Sequence, residues 1–481
     1  MNISKTLFKN LTRCNNFASL YDMYLNRFLH EVKEIDGQFI EKEIIEDINN
    51  LEEDLFSEAQ DEISDIFSEM FDEETGEDLT EVTNAQMEAF KDIFTEVERL
   101  ASKQIEKMLG KNIIASTDTY MQKRYAYSIE NNTFYCYLDI YYEDDDSIKV
   151  FEVKSTTSTK YDEFVITVSK EKFPFFIKTK EGIMKYVGDD WIGSIAGEKE
   201  ITKEDVDKKK KNLFNRFSKE GKYIYDIAVE RNIIENSIKQ AVDVKEKKID
   251  YYLVTLNAEY HFDGKYDENN QPIYGLDKDG NELFKIYDVN QITEEYQPII
   301  EIEKEELLKR LDYLTINTKS LGVCCEYKKT TQCKFCNICM KKILQPGSIM
   351  EYLGRHYAFN EVENGDKVKL TVYDLVNRGI YMIDEAVDYI SKPNNVIQYE
   401  CYVNNETYMD EERIKYALKE IKYPIYHLDF ESYNCPLPRF YMEKPYQQSL
   451  FSIFASYRKK ARNMWFRKRS LRVFSKRPSW S

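Results

Sequence analysis

Residues 136–158, CYLDIYYEDDDSIKVFEVKSTTS, contain the pattern that decides the predicted fold. Two runs rich in aromatic and β-branched residues flank the polar segment 144–147, which is typical of two strands joined by a hairpin turn. Asp139 ends the first run, and Glu152 and Lys154 stand two positions apart on the second. Because side chains alternate along a strand, Glu152 and Lys154 share one face and their apolar neighbours face the other way.

These polar residues suit metal-dependent hydrolysis of a phosphodiester bond. Carboxylate and carbonyl oxygens are ligands that Mg²⁺ and Mn²⁺ prefer, so we expect Asp139, Glu152 and the backbone carbonyl of Val153 to hold the metal. The metal lowers the pKa of a bound water, and Lys154 would orient that water and stabilise the developing negative charge. The pattern resembles the PD-(D/E)XK nuclease core. The alternative is an exposed edge strand with a cross-strand ion pair.

The composition sets only broad limits. The chain has 481 residues, which predicts two to four domains, and a formal net charge of −18, which weighs mildly against nucleic acid as a partner. Binding depends on local patches, so that argument excludes little. No run of about eighteen apolar residues occurs, so we expect no membrane segment and a cytoplasmic protein. In a reducing compartment the nine cysteines are expected to be metal ligands or buried thiols.

Two charged stretches surround this pattern. Residues 33–110 are acidic and carry apolar residues at a helical period, which predicts a solvated helical pair, with DNA mimicry or a partner surface as the alternative. The basic run 208–211, followed by Arg216, is expected to be a solvated helix face. Between them, the segments 120–129, 133–142, 148–156 and 163–169 predict strands.

A cysteine cluster follows in LGVCCEYKKTTQCKFCNICM, residues 321–340. It holds five cysteines within sixteen residues, namely Cys324, Cys325, Cys333, Cys336 and Cys339. Thiolates at such spacings bind zinc or an iron–sulfur cluster, and on spacing alone a zinc knuckle would be the default.

Cys14, far upstream in ISKTLFKNLTRCNNFASLY, supports the second reading of the cluster. The context of Ser4, Cys14, Phe17 and Tyr21 resembles RecB-type nucleases with an iron–sulfur cluster, which place one cysteine before the nuclease core and three after it. The resemblance implies a four-iron four-sulfur cluster, with zinc as the alternative, that staples the two ends of the domain. It implies the ligands Cys14, Cys325, Cys333 and Cys339, and Cys324 and Cys336 could replace Cys325 or Cys333.

The same resemblance implies auxiliary residues. RecB-type cores add a helix with Gln and an aromatic residue after the Glu-x-Lys strand, and KYIYDIAVERNII (222–234) has the right place in the order. It offers Asp226 and Glu230, and Glu230 stands where Gln is expected. Gln122 and Tyr125 match the upstream motif of the family loosely.

Near the end, YPIYHLDFESYNCPLPRF (423–440) places Asp429 and Glu431 two apart on a predicted strand. RNase H-like exonucleases of the DEDD kind begin with such a strand. The whole arrangement resembles the bacterial domain of unknown function family 2779. The motifs that carry the resemblance are Leu428–Glu431, Pro436–Arg439 and Pro445–Gln448, and Ser432 replaces the Thr of the family.

Beyond Gln448 the resemblance stops and the chain turns basic. No Asp or Glu follows Glu443, and the last 24 residues contain ten Lys or Arg. A nucleic-acid-binding tail is one interpretation; the favoured one is a frameshift or truncation that replaced the rest of the domain. We then expect Asp429 and Glu431 to be catalytically orphaned.

The sequence therefore predicts an α/β (α+β) protein with a PD-(D/E)XK restriction-endonuclease-like core. The expected activity is Mg²⁺-dependent, exonuclease-type hydrolysis of DNA in repair or defence, with nucleic acid and a helicase as partners. The alternatives are a catalytically inactive interaction module of the same fold and a zinc-binding structural protein. The predicted order is an N-terminal helix with the first cluster cysteine (1–32), an acidic helical insertion (33–110), the nuclease core ending in the cysteine cluster (111–345), a helical connector (346–420), the start of a truncated RNase H-like domain (421–450) and a basic, non-native or disordered tail (451–481).

Overall fold

A computed structural model gives the structure of the chain. It describes residues 1–21, 34–35, 38–39, 84–111, 113–115, 122–241, 247–312, 321–325, 333, 335, 339–354, 358–458 and 469–471.

The described residues form a mixed α/β structure. In chain order the strands are β1 (Asn2–Ser4), β2 (Glu34–Ile35), β3 (Gln38–Phe39), β4 (Ile114–Ala115), β5 (Lys123–Ile129), β6 (Asn132–Leu138), β7 (Ile140–Glu143), β8 (Ser147–Thr157), β9 (Val165–Val168), β10 (Glu171–Pro174), β11 (Phe176–Lys178), β12 (Ile183–Tyr186), β13 (Ile195–Ala196), β14 (Lys199–Glu200), β15 (Lys248–Leu256), β16 (Phe284–Asp288), β17 (Phe359–Glu363), β18 (Asp366–Leu370), β19 (Ile425–Asn434), β20 (Gln448–Arg458) and β21 (Arg469–Leu471).

The helices are distributed along the whole chain. In chain order they are α1 (Lys5–Leu11), α2 (Asn15–Tyr21), α3 (Asn84–Leu109), α4 (Thr159–Asp162), α5 (Lys203–Lys210), α6 (Gly221–Gln240), α7 (Asn290–Asp312), α8 (Val372–Asn377), α9 (Pro393–Asn404) and α10 (Glu411–Glu420). None of these helices combines the length and the apolar content needed to cross a membrane.

A seven-stranded mixed sheet organises the larger part of the chain. Its strand order is β11-β12-β16-β15-β8-β7-β4, and the long strand β8 lies near one side, with β7 antiparallel to it. A three-stranded sheet of order β1-β6-β5 lies beside it along the chain, because β6 passes directly into β7 at Asp139. The four predicted strand segments are confirmed, and Asp139 divides the second of them into two strands.

The predicted turn at 144–147 is confirmed. The carboxylate of Asp144 accepts hydrogen bonds from the backbone amides of Asp146 (3.1 Å) and Ser147 (2.8 Å), and the Asp144 amide donates to the Ser147 carbonyl at 2.9 Å. This side-chain capping of the turn explains why a run of acidic residues connects β7 to β8.

Helices α6 and α7 pack on each other and carry much of the core. Tyr223, Ile224 and Ile227 of α6 are fully buried, and on α7 a helical spacing buries Tyr296 and Ile300. Helix α3, the described end of the acidic segment, contacts β8 and buries Phe94, Val97, Ala101 and Ile105, so one of its faces is packed rather than solvated. At the start of that segment, β2 and β3 pair where a helix was predicted, and residues 40–83 lie outside the described part.

The N-terminus differs from the single helix predicted there. Helix α1 ends at Leu11, where the Thr12 hydroxyl donates to the Phe8 carbonyl at 2.8 Å and competes with the helical backbone. Cys14 lies between α1 and α2, and β1 precedes α1.

The predicted helical connector contains strands as well as helices. Strands β17 and β18 form a hairpin, and residues from 321 to 386 share a hydrophobic core of their own that includes Tyr352, Phe359 and Val372. This segment is therefore a folded element with its own apolar packing.

A second compact unit consists of residues 256–284 and 406–481. Residues 256–284, which lie within the predicted nuclease core in the sequence, contact the Pro-rich loop around Pro438. The Phe262 amide donates to the Glu443 carbonyl at 3.0 Å, and the Tyr274 hydroxyl donates to the Pro438 carbonyl at 3.0 Å. Strand β20 pairs antiparallel with β19 as far as Arg458. The predicted non-native tail thus begins as a strand, and most residues beyond 458 lie outside the described part.

Candidate active site

Asp139 lies at the junction of β6 and β7, beside the strand that carries the Glu-x-Lys pair. Its Oδ2 accepts a hydrogen bond from the backbone amide of Val153 at 2.9 Å. The hairpin therefore brings Asp139 next to Glu152 and Lys154, as the sequence predicted.

Glu152 and Lys154 are in direct contact on one face of β8. The Lys154 ammonium lies 3.0 Å from Oε1 of Glu152, and the two residues are only 4% and 1% exposed, respectively. On the other face, Phe151 stacks on Tyr252 with ring centroids 4.7 Å apart. Burial alone would raise the pKa of Glu152, but the ammonium groups of Lys154 and Lys5 hold this pKa below its ordinary value.

Lys5 is a member of the site that the sequence did not reveal. It is the first residue of α1, and its ammonium donates to Oε1 of Glu152 at 2.7 Å and to Oε2 of Glu230 at 2.9 Å. Lys5 is 4% exposed and Glu230 is fully buried. The auxiliary residue Glu230 on α6 is thus linked to the predicted catalytic strand through a lysine from the N-terminus.

Within the described part of the chain, each of the two glutamates has one carboxylate oxygen that receives no hydrogen bond. Oε2 of Glu152 and Oε1 of Glu230 are buried and accept no hydrogen bond from an N–H or hydroxyl donor of the described residues, and the two carboxyl groups interact with each other. A buried carboxylate oxygen without a donor costs free energy, so these two atoms are natural ligands for a cation.

Two carboxyl groups of the site are pushed toward their protonated forms. Burial, the charge of Glu152 and the charge of Glu98 raise the pKa of Asp139. Burial and the charge of Glu152 raise the pKa of Glu230 to about 8. Glu98 lies on α3, and no sequence pattern singles it out because it is one acid among many in an acidic helix.

The remaining auxiliary residues are placed differently. Asp226 lies one helical turn before Glu230 on α6 and pairs with Lys9 of α1 at 2.7 Å. Gln122 immediately precedes β5, an edge strand of the three-stranded sheet.

The four predicted cluster ligands line one small cavity. Cys14, Cys325, Cys333 and Cys339 surround it together with apolar side chains that include Phe17. Phe17 of α2 packs edge-to-face on Phe335, with ring centroids 5.0 Å apart. The cavity therefore lies where the N-terminal helices meet the cysteine segment, which is the position expected of a cluster that links these two parts of the chain.

Cys324 also belongs to this group, and Cys336 lies outside the described residues. The Cys324 sulfur is 3.9 Å from that of Cys325, and its interaction with Cys14, together with burial, raises the pKa of the Cys14 thiol. Although Cys14 lowers it, Cys325 and burial raise the pKa of Cys324 to about 11. Thiols with such pKa values stay protonated until a metal binds. The sulfurs of Cys324 and Cys325 are 3.9 Å apart, so either one lies close enough to complete the ligand set.

Asp429 and Glu431 occupy alternate positions on β19 in the second unit. Both are exposed, and a register irregularity follows Glu431. The metal-type cluster found among the described residues of this unit is a different one, formed by His261, Asp277 and Asp279.

Comparison with known proteins adds no relative: no family, no curated protein and no solved structure matches this chain.

Proposed function

We propose that this chain is a metal-dependent nuclease that hydrolyses phosphodiester bonds in DNA, with Asp139, Glu152 and Lys154 as its catalytic centre. The observation that carries the proposal is the meeting of two carboxylates and an ammonium at one hairpin. Helix α6 follows this hairpin along the chain and supplies Glu230, in the order that the resemblance to RecB-type nucleases implies.

The donor set fits a hard divalent cation. Asp139 and Glu152 would hold Mg²⁺ or Mn²⁺ with the Val153 carbonyl, and Oε2 of Glu152 has no hydrogen-bond donor among the described residues. When bound, the metal supplies an activated water and neutralises charge on the phosphate.

Lys154 would stabilise the negative charge that develops during hydrolysis, and its contacts hold the ammonium group in place. Its ammonium is held by Oε1 of Glu152 at 3.0 Å and is buried, so its position beside the carboxylate is fixed. A fixed positive charge in a buried site stabilises negative charge that develops on a phosphate oxygen more strongly than a solvated lysine does.

The cysteine cavity supports the RecB-type part of the proposal. Cys14, Cys325, Cys333 and Cys339 would hold a four-iron four-sulfur cluster, with zinc as the alternative. The cluster would join the N-terminal helices to the segment that follows α7. On the same resemblance we place the chain in DNA repair or defence, with a helicase as a partner.

A second candidate function rests on the burial of the site. Glu152, Lys154, Lys5 and Glu230 pair with each other and are each 4% exposed or less. Such a closed network is also what a non-catalytic binding module would retain as a structural element, since paired buried charges are costly to disrupt singly.

A cleavage assay with matched variants separates the two candidates. Labelled single- and double-stranded DNA and RNA are incubated with Mg²⁺ or Mn²⁺ and the wild type, Lys154→Ala or Lys149→Ala. Lys149 is on the same strand but faces the other side, where it pairs with Asp250 at 3.2 Å. We expect Lys154→Ala to lower cleavage by ~10²–10³-fold and Lys149→Ala to keep it.

Equal cleavage by the wild type and Lys154→Ala would contradict the catalytic assignment. Binding of the same nucleic acids without cleavage, measured by fluorescence anisotropy, would favour the non-catalytic module.

A further inference from the structure

Lys5 is buried in the centre of the carboxylate cluster rather than on the surface of α1. Its ammonium lies 2.7 Å from Glu152 and 2.9 Å from Glu230. A buried ammonium is tolerated only with close partners, so this position is specified by both acids together.

The contacts of Glu152 are unequal between its two oxygens. Oε1 receives the ammonium groups of both Lys5 (2.7 Å) and Lys154 (3.0 Å), and Oε2 has no hydrogen-bond partner among the described residues. A carboxylate bound on one oxygen by two cations cannot rotate without losing both contacts. The orientation that results leaves Oε2 available to a metal ion.

The fold holds Lys5 in a fixed register. Ser4 caps α1 by accepting from the Leu7 amide at 3.0 Å, and Lys9, one turn after Lys5, pairs with Asp226 at 2.7 Å. Two lysines one turn apart on α1 therefore face two acids one turn apart on α6.

We infer that Lys5 is a positioning residue of this centre: it holds Oε1 of Glu152 so that Oε2 faces the divalent cation. The inference rests on the proposed function, since it assigns Lys5 a task at the same metal site. It makes the N-terminal helix α1 a functional part of the site and gives Glu230 the task of anchoring Lys5 from the other side.

Three variants separate positioning from charge balance. Lys5→Met keeps the length of the side chain and removes the ammonium. Lys9→Met is the matched control, because it removes the neighbouring ion pair between the same two helices without touching Glu152. Lys5→Met/Glu230→Gln also replaces the acid that Lys5 would leave unpaired by a neutral amide of the same shape, and it is the test protein if the single variant does not fold.

The measurements are Mn²⁺ binding, followed by the electron paramagnetic resonance signal of free Mn²⁺, and DNA cleavage as a function of Mn²⁺ concentration. For Lys5→Met and for the double variant we expect Mn²⁺ affinity or kcat to fall ~10–100-fold, as for other residues that orient metal ligands. The KM for DNA should stay within about twofold, since no DNA contact is removed. Lys9→Met should keep the wild-type Mn²⁺ dependence even where it lowers the melting temperature.

The outcomes distinguish this inference from the proposed function. Wild-type Mn²⁺ affinity and kcat in Lys5→Met, or in the double variant, overturn the positioning role alone, because Lys5 would then serve only charge balance. A wild-type chain that neither binds Mn²⁺ nor cleaves nucleic acid removes both.

Discussion

Replacing Glu230 by Gln should change how the stability of the chain depends on pH. Glu230 has an ordinary pKa of 4.5, and burial and the charge of Glu152 raise it to about 8 in the folded chain. Between these values the folded state holds a proton that the unfolded state has released, so the free energy of unfolding falls as the pH rises through this window. At about 1.4 kcal/mol per pKa unit, the fall attributable to Glu230 is at most about 5 kcal/mol.

Glu230→Gln keeps the shape of the side chain and removes this titration. We expect the variant to lose less stability than the wild type between about pH 5 and about pH 9, by at least about 1.4 kcal/mol, the value of one pKa unit. The measurement is urea unfolding in EDTA at the two pH values. Glu235→Gln is the control, because Glu235 lies on the same helix in a partly exposed pair with Arg231 at 2.7 Å. Parallel pH curves for the wild type and Glu230→Gln would refute the reasoning.

Two further variants test the packing and the cysteine cavity. Gly221→Ala should destabilise the chain by about 1–3 kcal/mol, because an added Cβ would lie 2.3 Å from the Asn215 carbonyl oxygen. Gly275→Ala is the control, because a Cβ at that position would meet nothing within 4 Å. Thermal unfolding of both variants measures the difference, and equal melting temperatures would contradict the prediction. Cys14→Ser should lose most of the metal that co-purifies under anaerobic conditions, and Cys401→Ser should keep it. Elemental analysis and the visible spectrum measure this, and unchanged metal content in Cys14→Ser would remove Cys14 from the ligand set.

The parts of the site that the sequence predicted are the parts that local patterns encode. Alternation along a strand placed Glu152 and Lys154 on one face, and the acidic turn placed Asp139 beside them, because a hairpin needs only neighbouring residues to form. The contacts of Asp139 with the Val153 amide and of Lys154 with Glu152 agree with that prediction.

The differences arise where distant segments meet. No local period shows that residues 256–284 pack with the loop around Pro438, or that the strand partner of β19 extends into the basic segment as far as Arg458. The segment between α1 and α2 likewise contacts a distant part of the chain, since the Arg13 guanidinium donates to the Cys324 carbonyl. Tertiary contacts stabilise these arrangements, and the local sequence of the residues involved does not predict such contacts.

Lys5 shows the same limit at the site itself. In MNISKTLFKN it is one of two lysines on a short amphipathic helix, and nothing local distinguishes it from Lys9, which is less deeply buried. Its partners lie 147 and 225 residues further along the chain. Buried Glu152 nevertheless implies that such a residue exists, because a carboxylate removed from water needs nearby cations to stay ionised. A predicted acidic site on a buried strand therefore predicts a lysine or arginine from whichever element covers it, and here that element is the helix that leads to Cys14.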